Sequence, residues 1–187
     1  SMKDDNRLLK GISMNPILQH HAVRSLIVNA NHVDVKQVHS QAELREFVAG
    51  FVNYNPAWIR ALYGIRAGFV RLLGMHQPPM RFKTIQPADV PMHAGASLSF
   101  FTVTAAGDDH WIAAASDKHL VAHLGVIQTN TNTSDQTYYV LTVVHYKHWT
   151  GIIYFNVIRP FHHMVVRSMM QAAAQSTDMQ ALEIHRS

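Results

Sequence analysis

Between Ala96 and Tyr146 the chain runs through four stretches of β-branched and aromatic residues, parted by short polar breaks. The stretches are Ala96 to Ala105, His110 to Ala115, His119 to Gln128 and Gln136 to Tyr146. Gly107-Asp108-Asp109, Ser116-Asp117-Lys118 and Asn130 to Asp135 carry the residue types that make tight turns. This pattern predicts three consecutive hairpins, and so an antiparallel meander. A meander with an apolar face must bury that face against another element. The chain supplies one next. Tyr154, Ile158, Phe161, Val165, Met169 and Ala172 mark one face of a helix over Gly151 to Gln175. Pro160 inside it removes a backbone donor and predicts a kink or a restart.

The elements before the meander are read in the same way. Pro16 to Val28 is a short helix or an arm. His32 to His39 alternates, with Val33, Val35 and Val38 broken by Asp34, Lys36 and Gln37, which predicts a half-buried strand. Ser40 as N-cap with Glu43 three residues on predicts a capping box, with Leu44, Phe47, Val48 and Phe51 at helical spacing behind it. Asn55-Pro56 breaks this helix, with Asn55 capping and Pro56 in the first turn of the next. That helix runs from Ala57 to about Leu73 and ends at Gly74. Its stripe of Trp58, Leu62, Ile65, Phe69 and Leu72 reads as core packing. Met75 to Ala94 holds four prolines and reads as a connector with one short strand around Arg81 to Ile85. The expected order is an α+β domain over 32–177: a strand, a helix pair, a curved antiparallel meander and a long C-terminal helix. An N-terminal arm (1–31, with Ser1-Met2 read as a cloning scar) precedes it, and a loose tail (178–187) follows.

Composition narrows the function classes. Apolar residues make up 48% and charged residues 15%, which argues for a large buried interior or an exposed apolar surface. No cysteine is present, so disulfides, thiolate metal sites and cysteine nucleophiles are excluded. With no signal peptide read after Ser1-Met2, a cytoplasmic location is expected. The net charge of +4 comes with no Lys/Arg cluster, so nucleic acid is not an expected partner. The apolar stretch Ile152 to Met170 is broken by Asn156, Arg159, Pro160, His162, His163 and Arg167, which argues against a membrane span. The 14 histidines are the compositional oddity.

A resemblance enters on three motifs. Pro56-Ala57-Trp58-Ile59-Arg60-Ala61-Leu62 with Ile65-Arg66 and Leu72-Leu73-Gly74 resembles the helical motif of a bacterial family, domain of unknown function 2867. Ser116-Asp117-Lys118-His119-Leu120 is similar to its acidic-basic-His-Leu strand opening. Gly151-Ile152-Ile153-Tyr154-Phe155 followed by Pro160-Phe161-His162-His163 and Val165-Val166-Arg167 is the third match. That family looks related to the helix-grip superfamily of plant allergens, lipid-transfer domains and polyketide cyclases. The resemblance implies a curved antiparallel sheet gripping a long C-terminal helix. It carries over no catalytic residue.

The leading functional expectation is a small-molecule binding or carrier domain, with an apolar or amphipathic ligand between sheet and C-terminal helix. Phe101, Trp111, Tyr139, Tyr154, Phe161 and Met169 are candidate lining residues, with Met164 and Met170 making the lining adaptable. His162, beside the proline, is the candidate polar contact. One alternative is an enzyme of cyclase, dehydratase or hydrolase type, for which Asp117 tuning His119 is the best catalytic pair; its plain counterpart is a turn aspartate and a packed histidine. The other is an interaction module that forms a homodimer or docks a partner. Arg60, Arg66, Arg71 and Arg167 are either an anion site or a solvated helix face. No cofactor and no metal site are expected. His119 and His123 stand four apart on a strand, roughly 13 Å along it, too far to share one ion. Asp108-Asp109 reads as a hairpin turn, and His20-His21, His145 and His148 as surface residues.

Overall fold

The computed structural model describes residues 16–72, 84–116, 119–129 and 136–184. Gly74, the segment 81–83 and Asp117 lie outside them. Six strands form one open, curved antiparallel sheet: β1 (His32–Ser40), β2 (Ser97–Leu98), β3 (Phe101–Ala106), β4 (His110–Ser116), β5 (Leu120–Thr129) and β6 (Gln136–Tyr146). The spatial order is β1-β6-β5-β4-β3-β2. The meander is therefore continuous, and the first strand closes onto the last, with Val35 opposite Leu141 and Val38 opposite Tyr138. The helices are the four-residue α1 (His21–Arg24), α2 (Leu44–Asn53), α3 (Ala57–Leu72) and α4 (Trp149–Ile184). The α4 helix continues past Pro160 and past Thr177.

The central strands are buried on both faces, which explains the unbroken apolar runs in β5 and β6. On the concave face Trp111, Ala113, Val126, Tyr138 and Val140 pack against Phe47, Val48 and Phe51 of α2 and Val166, Met170 and Ala173 of α4. Phe47 stacks on Tyr138, ring centres 4.1 Å apart, and the Tyr138 hydroxyl donates to the Ala42 carbonyl at 2.5 Å. On the outer face Ile112, Ile127, Leu141 and Val143 are covered by Ile17, Leu18 and Val23. Within the segment expected to be an arm, Ile17, Leu18 and Val23 pack as a second layer on the outer face of the sheet.

This second layer sets the facing of β1, the half-buried strand expected over His32 to His39. Val33 and Val35 face outward into the N-terminal cluster. Asp34 and Lys36 lie on the strand face that meets α4, where they pair with each other and with His163. Val38 packs against the concave core, so the valines of β1 are divided between the two faces.

Two helix starts differ from expectation. Glu43, not Ser40, is the N-cap of α2, and it forms the capping box with Glu46. The Ser40 hydroxyl instead accepts from Ala42 N–H and donates to the Ala174 carbonyl, tying the end of β1 to α4. At α3 the Pro56 carbonyl takes the first helical hydrogen bond, from Arg60, so proline stands at the N-cap position. Asn55 Oδ1 does not cap: it is buried with no partner among the described residues. Of the α3 stripe, Ile65 is 70% exposed and Trp58 is exposed too, while Ile59, outside the stripe, is buried. In the proline-rich connector Ile85 is not in a strand. Its N–H and carbonyl are both held by the Asn53 side-chain amide, which does the job of a strand partner.

Candidate functional site

A cavity of about 820 Å³ opens between the concave face of the sheet, α3 and α4. Alternation in the strands puts Leu120, Ala122 and Leu124 of β5 and Thr142 and Val144 of β6 on its floor. Tyr154, Phe155 and Ile158 of α4 cover it, and Ile59 and Leu62 of α3 close one side. Ile65, Phe100, Val157 and Phe161 line it while remaining exposed, which gives the mouth an apolar rim.

Few polar groups interrupt this lining. His162 Nε2 lies 3.3 Å from Thr142 Oγ1. Burial holds the His162 imidazole down at about 4, with the charges of His163, Lys36 and His32 adding to the depression and Asp34 opposing it. The ring is therefore neutral at pH 7. His119 Nδ1 lies 2.5 Å from Thr150 Oγ1 in the first turn of α4. Asn55 Oδ1 borders the cavity as a buried acceptor.

The α4 helix reaches this place because its first turn comes close to β5. The His119 carbonyl accepts from Lys147 and His148, and a Cβ at Gly151 would stand 2.6 Å from that same oxygen. Gly151→Ala is expected to push the helix start off the sheet and cost about 1–3 kcal/mol, read as a fall in thermal midpoint. An unchanged midpoint would show that the helix start can give way freely.

The structure brings Phe101, Tyr154, Phe161, His162, Met169 and His119 together around the cavity. Trp111 and Tyr139 are placed elsewhere. Trp111 shares the concave face but is fully buried under the proline-rich connector, its indole N–H donating to Pro91 O at 3.0 Å. Tyr139 lies on the outer face beside the N-terminal cluster. One step of strand register decides between the two faces. Asp117 lies outside the described residues, so the partner found for His119 is Thr150. Arg60, Arg71 and Arg167 are exposed on helix surfaces, as a solvated face requires. His123 turns its ring to the outer face toward His145, ring centres 5.8 Å apart, and burial followed by the His145 charge lowers its pKa.

The floor residues Ala122, Thr142 and Val144 went unread in the sequence because facing depends on pairing register. Phe155 went unread because it lies one position off the apolar face counted for α4. No helix among the described residues is long and apolar enough to cross a membrane. Comparison with curated proteins finds no match, and neither does comparison with solved structures. Residues 26–169 match a family described as protein of unknown function (DUF2867), spanning β1 through most of α4 and every wall of the cavity. On that match the chain belongs to the DUF2867 family.

Proposed function

We propose that the chain is a small-molecule binding or carrier domain that takes an apolar or amphipathic ligand between its sheet and its C-terminal helix, acting in the bacterial cytoplasm. The cavity carries this reading. Its volume falls in the range of sites that hold drug-sized molecules, and its lining is apolar with a few fixed polar groups. Neutral His162 with Thr142 at one side and Asn55 Oδ1 at another suit a ligand with a single polar end. The kinship implied with the helix-grip superfamily agrees with the same arrangement.

The test is titration with a dansyl-labelled fatty acid, followed by dansyl emission. Saturable, one-to-one binding is expected. Ala122→Phe places a ring over the cavity floor and is expected to weaken that binding at least about tenfold while leaving the unfolding midpoint unchanged or higher. Equal affinity in the two proteins would remove the cavity as the site.

A second reading rests on a separate observation. Trp149, Ile152, Ile153 and Met164 are exposed along α4, with Trp149 at 63%. A docked partner or a second copy would cover them. Light scattering on the purified chain separates the cases: a dimer that Ile153→Lys converts to monomer supports the second reading.

A further inference from the structure

On the outer face of the sheet, away from the cavity, three side chains from two distant segments converge on one point. His20 Nε2 lies 3.1 Å from Asp109 Oδ2, and His110 Nδ1 lies 2.7 Å from Asp109 Oδ1. The potential ligand atoms of His20, Asp109 and His110 all lie within 4.8 Å of one another. His21 flanks them, its ring centre 4.4 Å from that of His20 and 5.2 Å from that of His110. His21 is exposed as expected of a surface residue, but His20 is largely buried and joined to the turn aspartate.

Both segments are held in place by the fold. His20 follows buried Ile17 and Leu18 and precedes buried Val23. Asp109 is fixed by its carbonyl, which accepts from Gln128 N–H at 2.7 Å. His110 lies across the β3–β4 turn so closely that a Cβ at Gly107 would stand 2.6 Å from its Cε1. The side chains of His20 and His110 are 15% and 10% exposed, and that of Asp109 is 42% exposed. Solvent thus reaches the carboxylate side while the two rings are backed by protein.

We propose that His20, Asp109 and His110 form a binding site for one divalent first-row transition metal of the zinc class. Imidazole and carboxylate donors are the set such ions take, at about 2.0–2.2 Å per bond. Neighbouring ligand atoms of a tetrahedral ion at those lengths are about 3.4 Å apart, so the present spacings need shifts of about 1 Å or less. The open carboxylate side leaves a fourth position to water or His21.

The protons balance without release. For a ring that directs an N–H at the carboxylate, that proton moves to the other ring nitrogen on metal binding. For His110 the contact with Asp109 is made by Nδ1, which leaves Nε2 to take the proton. For His20 it ends the bond that Nδ1 accepts from Ala22 N–H, which is already long at 3.3 Å. A single histidine would suffice to pair Asp109 as a staple. Two rings on one carboxylate with a third alongside make a donor set that an ion of this class takes.

The test uses the full chain, stripped with a chelator and titrated with cobalt(II), followed by zinc competition. One equivalent with a visible d–d absorption is expected, displaced by zinc. Asp109→Asn and His110→Gln are each expected to weaken zinc binding by at least about tenfold. His93→Gln, an exposed histidine outside the cluster, is expected to change nothing. Circular dichroism on each apo variant checks that the fold persists, and Asp109→Asn keeps an acceptor for one ring. Absence of one-equivalent binding in the wild type, or binding that survives both substitutions, overturns the site.

Discussion

A chain lacking residues 1–24 is expected to lose about 5 kcal/mol of stability, read as a large drop in urea midpoint. Among the described residues, three buried apolar side chains go with that segment: Ile17, Leu18 and Val23, at 3%, 5% and 0% exposure. Full burial of each such side chain is worth about 1.5–3 kcal/mol, and compactness of the unfolded chain trims the total. The segment also leaves behind an uncovered apolar face of Ile112, Ile127, Leu141 and Val143 on the central strands. Domains of this size hold about 5–15 kcal/mol in all, so the truncated chain is expected to be marginal and to bind anilinonaphthalene sulfonate strongly. The opposite result, a truncated chain with the wild-type midpoint, would mean that the segment is the detachable arm its weak patterning suggests.

This segment also shows where sequence reasoning stops. The meander and its covering helix are legible because their periods are long and their turns are marked by Gly, Asp, Asn and Ser. The cover on the other face is a 3-10 turn at Pro16–Gln19 and a four-residue helix, too short to carry any period. Its only mark is apolar residues in a region that otherwise reads as irregular. Without it the facing of β1 stays open, since the outer cluster that takes Val33 and Val35 is not visible in the sequence. Helix starts failed for a related reason. Ser40 and Asn55 are good caps by type, but Ser40 is taken by α4 and the α3 start uses the Pro56 carbonyl. Tertiary contacts claimed groups that local rules assign to the helix.

Of the candidate lining residues, Tyr154, Phe161, His162 and Met169 of α4 and Phe101 of β3 border the cavity, while Phe155 went unread. Tyr139 lies on the outer face, because a shift of one residue along a strand turns the side chain to the other face. The histidine–aspartate cluster was beyond reach for a different reason. His20 and Asp109 are 89 residues apart, and no spacing rule joins them. Only the N-terminal layer lying on the outer face of the sheet does.

Acidification from pH 7 to pH 4 is expected to cost the wild type about 3 kcal/mol more than it costs His162→Gln. In the folded chain the His162 pKa is lowered from 6.5 to about 4, chiefly by burial. The unfolded chain takes up the proton near pH 6.5 and the folded chain does not until about pH 4. Between those values the unfolded state binds more protons, so stability falls as the pH falls, and it levels off once both states are charged. A depression of that size converts to about 3 kcal/mol. Burial sets the sign, and most of the groups facing the ring add to it. His32 and Lys36 on β1 and His163 on α4 oppose a positive charge there, and only Asp34 favours one. Asp34 is already engaged by Lys36 and His163, so it cannot rescue the charged ring. Glutamine keeps an amide within reach of Thr142 and does not titrate, so its urea midpoint at pH 7 is expected to stay near that of the wild type. His32 and His123, whose pKa values are also lowered by burial, are present in both proteins and cancel in the comparison. Parallel loss of stability in the two proteins across this range would show that the His162 ring reaches solvent or a counter-charge before pH 4. It would also weaken the case for a neutral imidazole as the polar contact inside the cavity.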